Sequence, residues 1–339
     1  MSQPLVSVIV PNYNYAASLR LCLGSIQAQT YRNIELIMVD DGSTDDSIAI
    51  AESMGVRVLR TPYNSGCAGA RNLGVAASSG EILMFVDSDV ALDPEAISRS
   101  VALLEADAKL AAVCGVHDPV PLIRDSMVEE YRALQYHYWS VTSVGLISFM
   151  FPAVCALRRS AFDEVGPFNT KLRQTEEVDY GHRLTQRYDM LLTEEVRARH
   201  DHDDQLVPLL RKLFKRARAR VPLYARRKAF ARGFETSSRA GGSVAALGAV
   251  VSLPLALLFG PLALLVPAAA LAASLGADLG MYRFVARQRG VAFLAYFTAV
   301  HFIVNVTIAS GVAVGAAQWL VSDSFRRLYD PLLAETAPA

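Results

Sequence analysis

The sequence predicts an α/β domain built on a mostly parallel sheet, followed by an α-helical transmembrane region. Three observations predict it. Strand and helix signals alternate over the first 110 residues, the pattern of parallel strands joined by crossover helices. Three strand candidates run into polar residues at their carboxyl ends, where open α/β sheets bind ligands: Asn12, Asp40 with Asp41, and Asp87 with Asp89. The chain of 339 residues, 52% hydrophobic, also divides into unlike parts: residues 1–207 hold 17 Lys/Arg against 28 Asp/Glu, and 208–339 hold 16 against 5. The zero net charge is a cancellation of −11 and +11, which implies two different environments.

The elements follow in order. "LVSVIVPNYN" reads as a buried strand ending in a turn, with no basic start that would suit a signal peptide. "AASLRLCLGSIQAQ" carries helical apolar spacing at Leu19, Leu23 and Ile26. "IELIMVDDGSTDDS" is a second strand ending in acids and a Gly-Ser turn; "SIAIAES" is helix and "VRVLRT" a third strand. "GCAGARNLGVAAS" is a helix with a glycine-rich start, and "EILMFVDSD" a fourth strand. Farther on, "AAVCGV" and "FMFPAVCALRRSAF" read as strands and "TEEVDYGHRLTQRY" as a helix. The four cysteines (Cys22, Cys67, Cys114, Cys155) show no metal-ligand or redox spacing and read as reduced, packed thiols.

The chemistry then changes. Residues 206–234 contain ten Lys/Arg and no acid, with Leu206, Leu209, Leu210, Leu213 and Phe214 interleaved at helical spacing. Such a basic amphipathic helix suits an anionic membrane surface. A nucleic-acid arm is the competing reading, and the apolar sequence that follows argues against it. From Ser243 to Leu279 the only charge is Asp278, and Gly260-Pro261 splits the run into pieces of 17 and 17–18 residues. Each piece is about 26 Å long as helix, near the lower limit for crossing a bilayer. "MYRFVARQRG" interrupts, and residues 291–321 supply one tilted span. With both basic segments in the cytoplasm, 243–279 forms a hairpin and the total is three spans; one kinked span there makes two. The expected organisation is a catalytic domain over 1–205, basic interfacial helices over 206–240, transmembrane helices over 241–322 and a tail over 323–339.

Asp87-Ser88-Asp89 follows five apolar strand residues. Two carboxylates buried there unpaired would cost several kcal/mol. A divalent cation relieves that cost, and hard oxygen ligands suit Mg²⁺ or Mn²⁺. Asp45, and Asp40 with it, fits turn or cap chemistry.

These pieces together, "SVIVPNYN", "SIQAQTYRNIELIMVDDGSTDDS", "NSGCAGARNLGVAASSGEILMFVDSDV" and "TEEVDYGHRL", resemble the family 2 glycosyltransferases over roughly residues 5–205. The resemblance implies a GT-A fold (Rossmann-like, mostly parallel sheet) and inverting transfer from a nucleotide-sugar donor, with uracil the commoner base. It implies that Pro11 and Tyr13 line the base pocket, that Asp41 bonds the nucleobase and that Arg71 completes the nucleotide pocket. Asp87 would lie near ribose and metal, and Asp89 would bind the metal, Mn²⁺ or Mg²⁺. Where the family shows Glu-Asp this chain has Glu176-Glu177; the second position implies Glu177 as general base, with Glu176 the runner-up and Asp179 in support. His200 is a further candidate ligand of metal or diphosphate. The Gln-x-x-Arg-Trp motif of processive members does not follow Glu177, which implies transfer of single sugars.

The apolar segment 138–154 (Trp139, Leu146, Ile147, Phe149, Met150, Phe151) lies where the family lines its acceptor side. It points to a membrane lipid acceptor such as polyprenyl phosphate or a lipid-linked sugar, with the enzyme on the inner membrane and its catalytic domain facing the cytoplasm. A soluble acceptor with the membrane part as mere anchor is the alternative. A nucleotidylyltransferase lacks its Gly-rich triphosphate loop here, and a non-catalytic scaffold is at odds with the intact acids.

Overall fold

The structure, a computed structural model, describes residues 3–227, 232–233 and 236–330; Lys228 of the basic run, and the expected tail beyond Asp330, lie outside the described residues. The first half is the predicted alternation: β1 (Val6–Asn12), α1 (Ala16–Gln27), β2 (Ile34–Asp40), α2 (Ser47–Ser53), β3 (Arg57–Arg60), α3 (Gly66–Ala76) and β4 (Ile82–Val86). Every residue of β1 and β4 is buried, as expected of strands covered on both faces. β5 (Val90–Leu92), α4 (Ala96–Ala106), β6 (Leu110–His117), α5 (Met127–Val141), β7 (Gly145–Leu146), β8 (Val154–Arg158), α6 (Arg159–Val165), α7 (Glu176–Leu184) and β9 (Asp189–His200) complete the domain.

The strands form one mixed sheet in the order β3-β2-β1-β4-β8-β6-β9-β5, with β7 on β9. The β3-β2-β1-β4 part is parallel, as expected, and β6 pairs with β9 in parallel. Antiparallel pairings enter with β8, β5 and β7. The sequence reading has no β5, because only three residues follow Asp89 before the chain turns. Its antiparallel register, Val90 opposite His200, brings the end of β9 to the second carboxylate of Asp87-Ser88-Asp89. The sheet also pairs two of the scattered cysteines: Cys114 and Cys155 lie opposite each other on β6 and β8, their free thiols 3.2 Å apart.

The C-terminal part contains α8 (Leu206–Arg227), α9 (Ser237–Val251), α10 (Leu255–Phe259), a 3-10 turn (Pro261–Leu264), α11 (Leu265–Gly276), α12 (Leu279–Val321) and α13 (Asp323–Arg326). The two apolar pieces expected between 243 and 279 are shorter as helices than the sequence suggests: α9 has 15 residues and α11 has 12. They pack on each other as a hairpin. "MYRFVARQRG" breaks the apolar run but not the helix; it belongs to α12, whose axis kinks at Gly290 (φ 78°). Among the described residues α12 is the one helix long and apolar enough to cross a membrane.

Two apolar cores cover the faces of the sheet. One lies under α1 and α4, built on Val8, Leu23, Met84 and Leu104. The other joins Tyr131 and Leu134 of α5 to Phe297, Val300 and Val304 of α12. The C-terminal helices are therefore packed into the catalytic domain's own core.

Candidate active site

A cavity of about 1120 Å³ opens at the carboxyl ends of the parallel strands. Pro11, Tyr13, Asp41, Arg71, Asp87, Asp89, Glu176, Glu177 and His200 all line it, so residues spread over some 190 positions converge on one space. Asp179 is not among the lining residues; Arg183 holds its carboxylate at 3.0 Å, one helical turn on.

At the donor end, Asp41 sits just past β2 and its carboxylate is occupied by two backbone N–H groups and two hydroxyls. Its Oδ1 accepts from Thr61 Oγ1, Ser65 N and Ser65 Oγ, and its Oδ2 from Gly66 N. It therefore organises the start of α3, a structural role that the sequence reading reserved for Asp45 and Asp40. Both of those also fold turns: Asp45 accepts from Ala16 N and Ser47 N, and Asp40 from Gly42 N and Ser43 N.

Arg71, on α3, is buried and bridges two carboxylates: Nη2 donates to Asp87 Oδ1 at 2.8 Å and Nη1 to Glu176 Oε1 at 3.0 Å. Burial works against its charge, but Asp87 and Glu176 outweigh that and hold the guanidinium protonated. Arg71 thus links the strand end that carries the first pair of acids to the helix that carries the second.

Asp89 is buried, and burial together with the negative charge of Asp87 pushes its carboxyl up to about 7. Its Oδ1 has no hydrogen-bond partner among the described residues; His200 Nε2 lies 3.6 Å from it. Burial first, then Lys212, lowers His200 to about 4, so its ring is neutral, the form that ligates metals. The chemistry of these groups, a buried carboxylate oxygen without a partner and a neutral imidazole beside it, suits a hard divalent cation, although Asp87 Oδ1 is held by Arg71 and among the described residues no three such side chains are gathered into a cation cluster. His200 stacks on His202 (4.2 Å between ring centres) and lies 4.9 Å from His117, which in turn stacks on Tyr136.

At the other end, Glu176 and Glu177 begin α7, where the helix dipole favours acids. Burial, followed by the charge of Glu177, pushes Glu176 up to about 7 against the pull of Arg71. Glu177 faces Arg220 of α8 at 3.4 Å, and the Arg220 guanidinium lies over the Phe149 ring. Trp139, Phe149, Met150 and Phe151 line this side, as the apolar segment suggested; Ile147 is buried in the core and Leu146 is exposed on β7, and neither reaches the cavity.

The sequence reading missed a wall. Lys212, Arg216 and Arg220 of α8 all line the cavity, although the basic run was assigned to a membrane surface. The available signal was their spacing at i, i+4 and i+8, which puts three cations on one helical face. Arg132 was missed too. It is buried on α5, donates to Gln135 Oε1 at 2.6 Å, lies over the Tyr136 ring, and has no carboxylate partner among the described ion pairs. Past these cations the cavity continues to Ser243 and Val244 of α9 and to Val304, Ile308 and Val312 of α12.

Comparison with known proteins agrees with this geometry. The family model described as Glycosyl transferase family 2 matches residues 7–166. A PGL/p-HBAD biosynthesis glycosyltransferase from Mycobacterium tuberculosis (strain H37Ra) is 30% identical over 190 residues, covering 53% of this chain and 69% of that protein. Glycosyltransferase GlyG from Streptococcus pneumoniae is 46% identical over 90 residues, 25% of this chain and 30% of that one. Among solved structures, the mannosyltransferase PcManGT from Pyrobaculum calidifontis, in complex with GDP-Man and Mn²⁺, superposes with a TM-score of 0.59 at 21% identity, covering 94% of this chain and 88% of that chain. At that identity the likeness is one of fold.

Proposed function

The chain belongs to glycosyl transferase family 2, uses a nucleotide-sugar donor, and from that premise we propose that it moves one sugar, with inversion, onto a membrane lipid that carries a phosphate. The observation that carries the acceptor reading is the continuous cavity: it runs from the Asp87/Asp89 end, past Arg132 and Arg216, to the apolar residues of α9 and α12. A soluble sugar would be matched by polar groups along that path; a lipid phosphate is matched by cations followed by hydrocarbon. Buried Arg132 forms no carboxylate ion pair among the described residues, and a buried guanidinium is stabilised by an anion.

Pro11 and Tyr13 would flank the base, beside the loop that Asp41 shapes. Asp89, with Asp87 and His200, would hold Mn²⁺ or Mg²⁺, which when bound supplies counter-charge to the departing diphosphate. The mannosyltransferase relative binds GDP-Man and Mn²⁺, which supports both the donor class and the metal. In the transfer, the acceptor oxygen forms a bond to the anomeric carbon as the bond to the diphosphate oxygen breaks on the opposite face. An acceptor hydroxyl would give its proton to Glu177; an acceptor phosphate is already ionised and gives none. Arg71 keeps Asp87 and Glu176 at fixed positions on either side of this path.

The test is transfer from a labelled donor, chosen from a UDP- and GDP-sugar panel, to short-chain polyprenyl phosphate, glycolipid and free oligosaccharide in detergent. Transfer to polyprenyl phosphate is the expected result. Efficient transfer to the oligosaccharide alone would reject the lipid acceptor.

A further inference from the structure

The long apolar helix does not stand away from the catalytic domain. Tyr131 of α5 packs its ring at a tilt against Phe297 (4.8 Å between ring centres) and bonds His301 Nδ1 at 3.0 Å. Farther along, a Cβ on Gly311 would meet the Phe214 carbonyl at 2.6 Å, and one on Gly315 the Arg218 carbonyl at 2.7 Å. At the end, Arg226 donates to the Arg326 carbonyl, and Tyr329 bonds Thr175 beside the α7 start. From residue 297 to the last described residues, then, α12 and the turns after it run side by side with α8 and the active site. If 307–321 crossed the hydrocarbon core, α8 would cross with it, carrying Arg211, Lys212, Lys215, Arg216 and Arg218. Charges of that number are not placed in a bilayer core.

A different part does leave the body. The tip of the α9–α11 hairpin exposes Leu257 (90%), Leu258 (75%), Phe259 (72%) and Leu262 (79%), all large apolar groups. The returning arm runs from Pro261 through the 3-10 turn and α11 to Gly276, about 24 Å at 1.5 Å per residue, still short of a roughly 30 Å hydrocarbon core. Ser243 on its partner arm is tied to Asn305 of α12 at 2.9 Å, so the hairpin base is fixed to the domain.

We propose that this enzyme is monotopic: the α9–α11 hairpin dips into one leaflet, α12 lies in the plane of the interface, and residue 330 stays on the catalytic-domain side. This rests on the membrane association proposed above. It brings the α8/α12 end of the cavity to the lipid surface without any helix crossing it.

The experiment uses the full chain, in a Cys67→Ser background, in sealed right-side-out and inverted vesicles probed with a membrane-impermeant maleimide. Glu105→Cys reports the catalytic domain, Ser324→Cys the chain after α12, and Leu262→Cys the hairpin tip. Expected are labelling of Glu105→Cys and Ser324→Cys from the same face, and of Leu262→Cys from neither face until detergent is added. Labelling of Ser324→Cys or Leu262→Cys from the face opposite Glu105→Cys overturns the monotopic arrangement while leaving membrane association intact. Recovery of the chain in the soluble fraction, unbound to vesicles, overturns both.

Discussion

Asp89 shows how much one carboxylate can say. A buried acid raised to about 7 is a liability to the apo fold and an asset to a site that expects a cation. Asp89→Asn keeps the shape and removes the charge. Activity is expected to fall on the order of 10²-fold or more while the fold is retained, since leaving-group charge loses its support. Activity within a few-fold of the unmodified enzyme in EDTA would remove the metal from the mechanism. Glu177 is poised differently, because it faces Arg220 of α8 at 3.4 Å. With a hydroxyl acceptor, Glu177→Gln should lower kcat and leave donor affinity nearly unchanged, because the donor end is built by Asp41, Arg71 and Asp87. A mild effect on kcat is the expected result with a phosphate acceptor, and a collapse of donor affinity would mean that Glu177 is structural.

Among the elements, α8 is the one whose meaning changes between sequence and structure. Its apolar residues read as lipid-facing, yet Leu209 and Leu223 are buried in the core shared with α12, and Lys212, Arg216 and Arg220 face the cavity. A basic amphipathic pattern is the same whether its partner is a bilayer or a protein groove, so periodicity alone does not choose. The α8–α12 seam depends on two small residues, Gly311 and Gly315, which let the helices approach backbone to backbone. Gly315→Leu puts a side chain where the Arg218 carbonyl and Val221 already sit. It is expected to cost about 1–3 kcal/mol of stability, and to reduce transfer by moving Arg216 and Arg220. Thermal unfolding in detergent, read beside donor hydrolysis, checks it. An unchanged melting temperature would show that the seam is looser than its backbone contacts indicate.

For the whole molecule, the boundary at residue 205 suggested by the family-like motifs is a boundary in chemistry and not in packing. Tyr131, Leu134 and Trp139 share their core with Phe297, Val300 and Val304, and Tyr329 closes over Thr175. A chain cut after residue 205 exposes that core and lacks the cationic wall. It is expected to be recovered as aggregate, whereas the full chain in detergent elutes as a folded species. Size-exclusion chromatography of the two decides, and a soluble, cooperatively unfolding 1–205 would show that the C-terminal helices are an accessory.

The sequence alone determined the parallel strands, the family and the acids, with Arg71 and His200, that converge on the site. Each of these is a local signal: apolar runs that stop at acids, a glycine-rich helix start, a pair of glutamates at a helix N-terminus. Such patterns are legible because burial and turn chemistry act over a few residues. Tertiary structure alone decided the rest. β5 took its place because Val90 meets His200, 110 residues away, and Cys114 met Cys155 by strand register. Asp179 left the cavity because Arg183 holds it, and Arg132 and Arg220 entered because α5 and α8 fold over the sheet. The lie of α12 was likewise beyond composition. Hydrophobicity measures how strongly a helix avoids water, and a lipid leaflet and a protein core satisfy that demand equally; only the contacts along its length tell them apart.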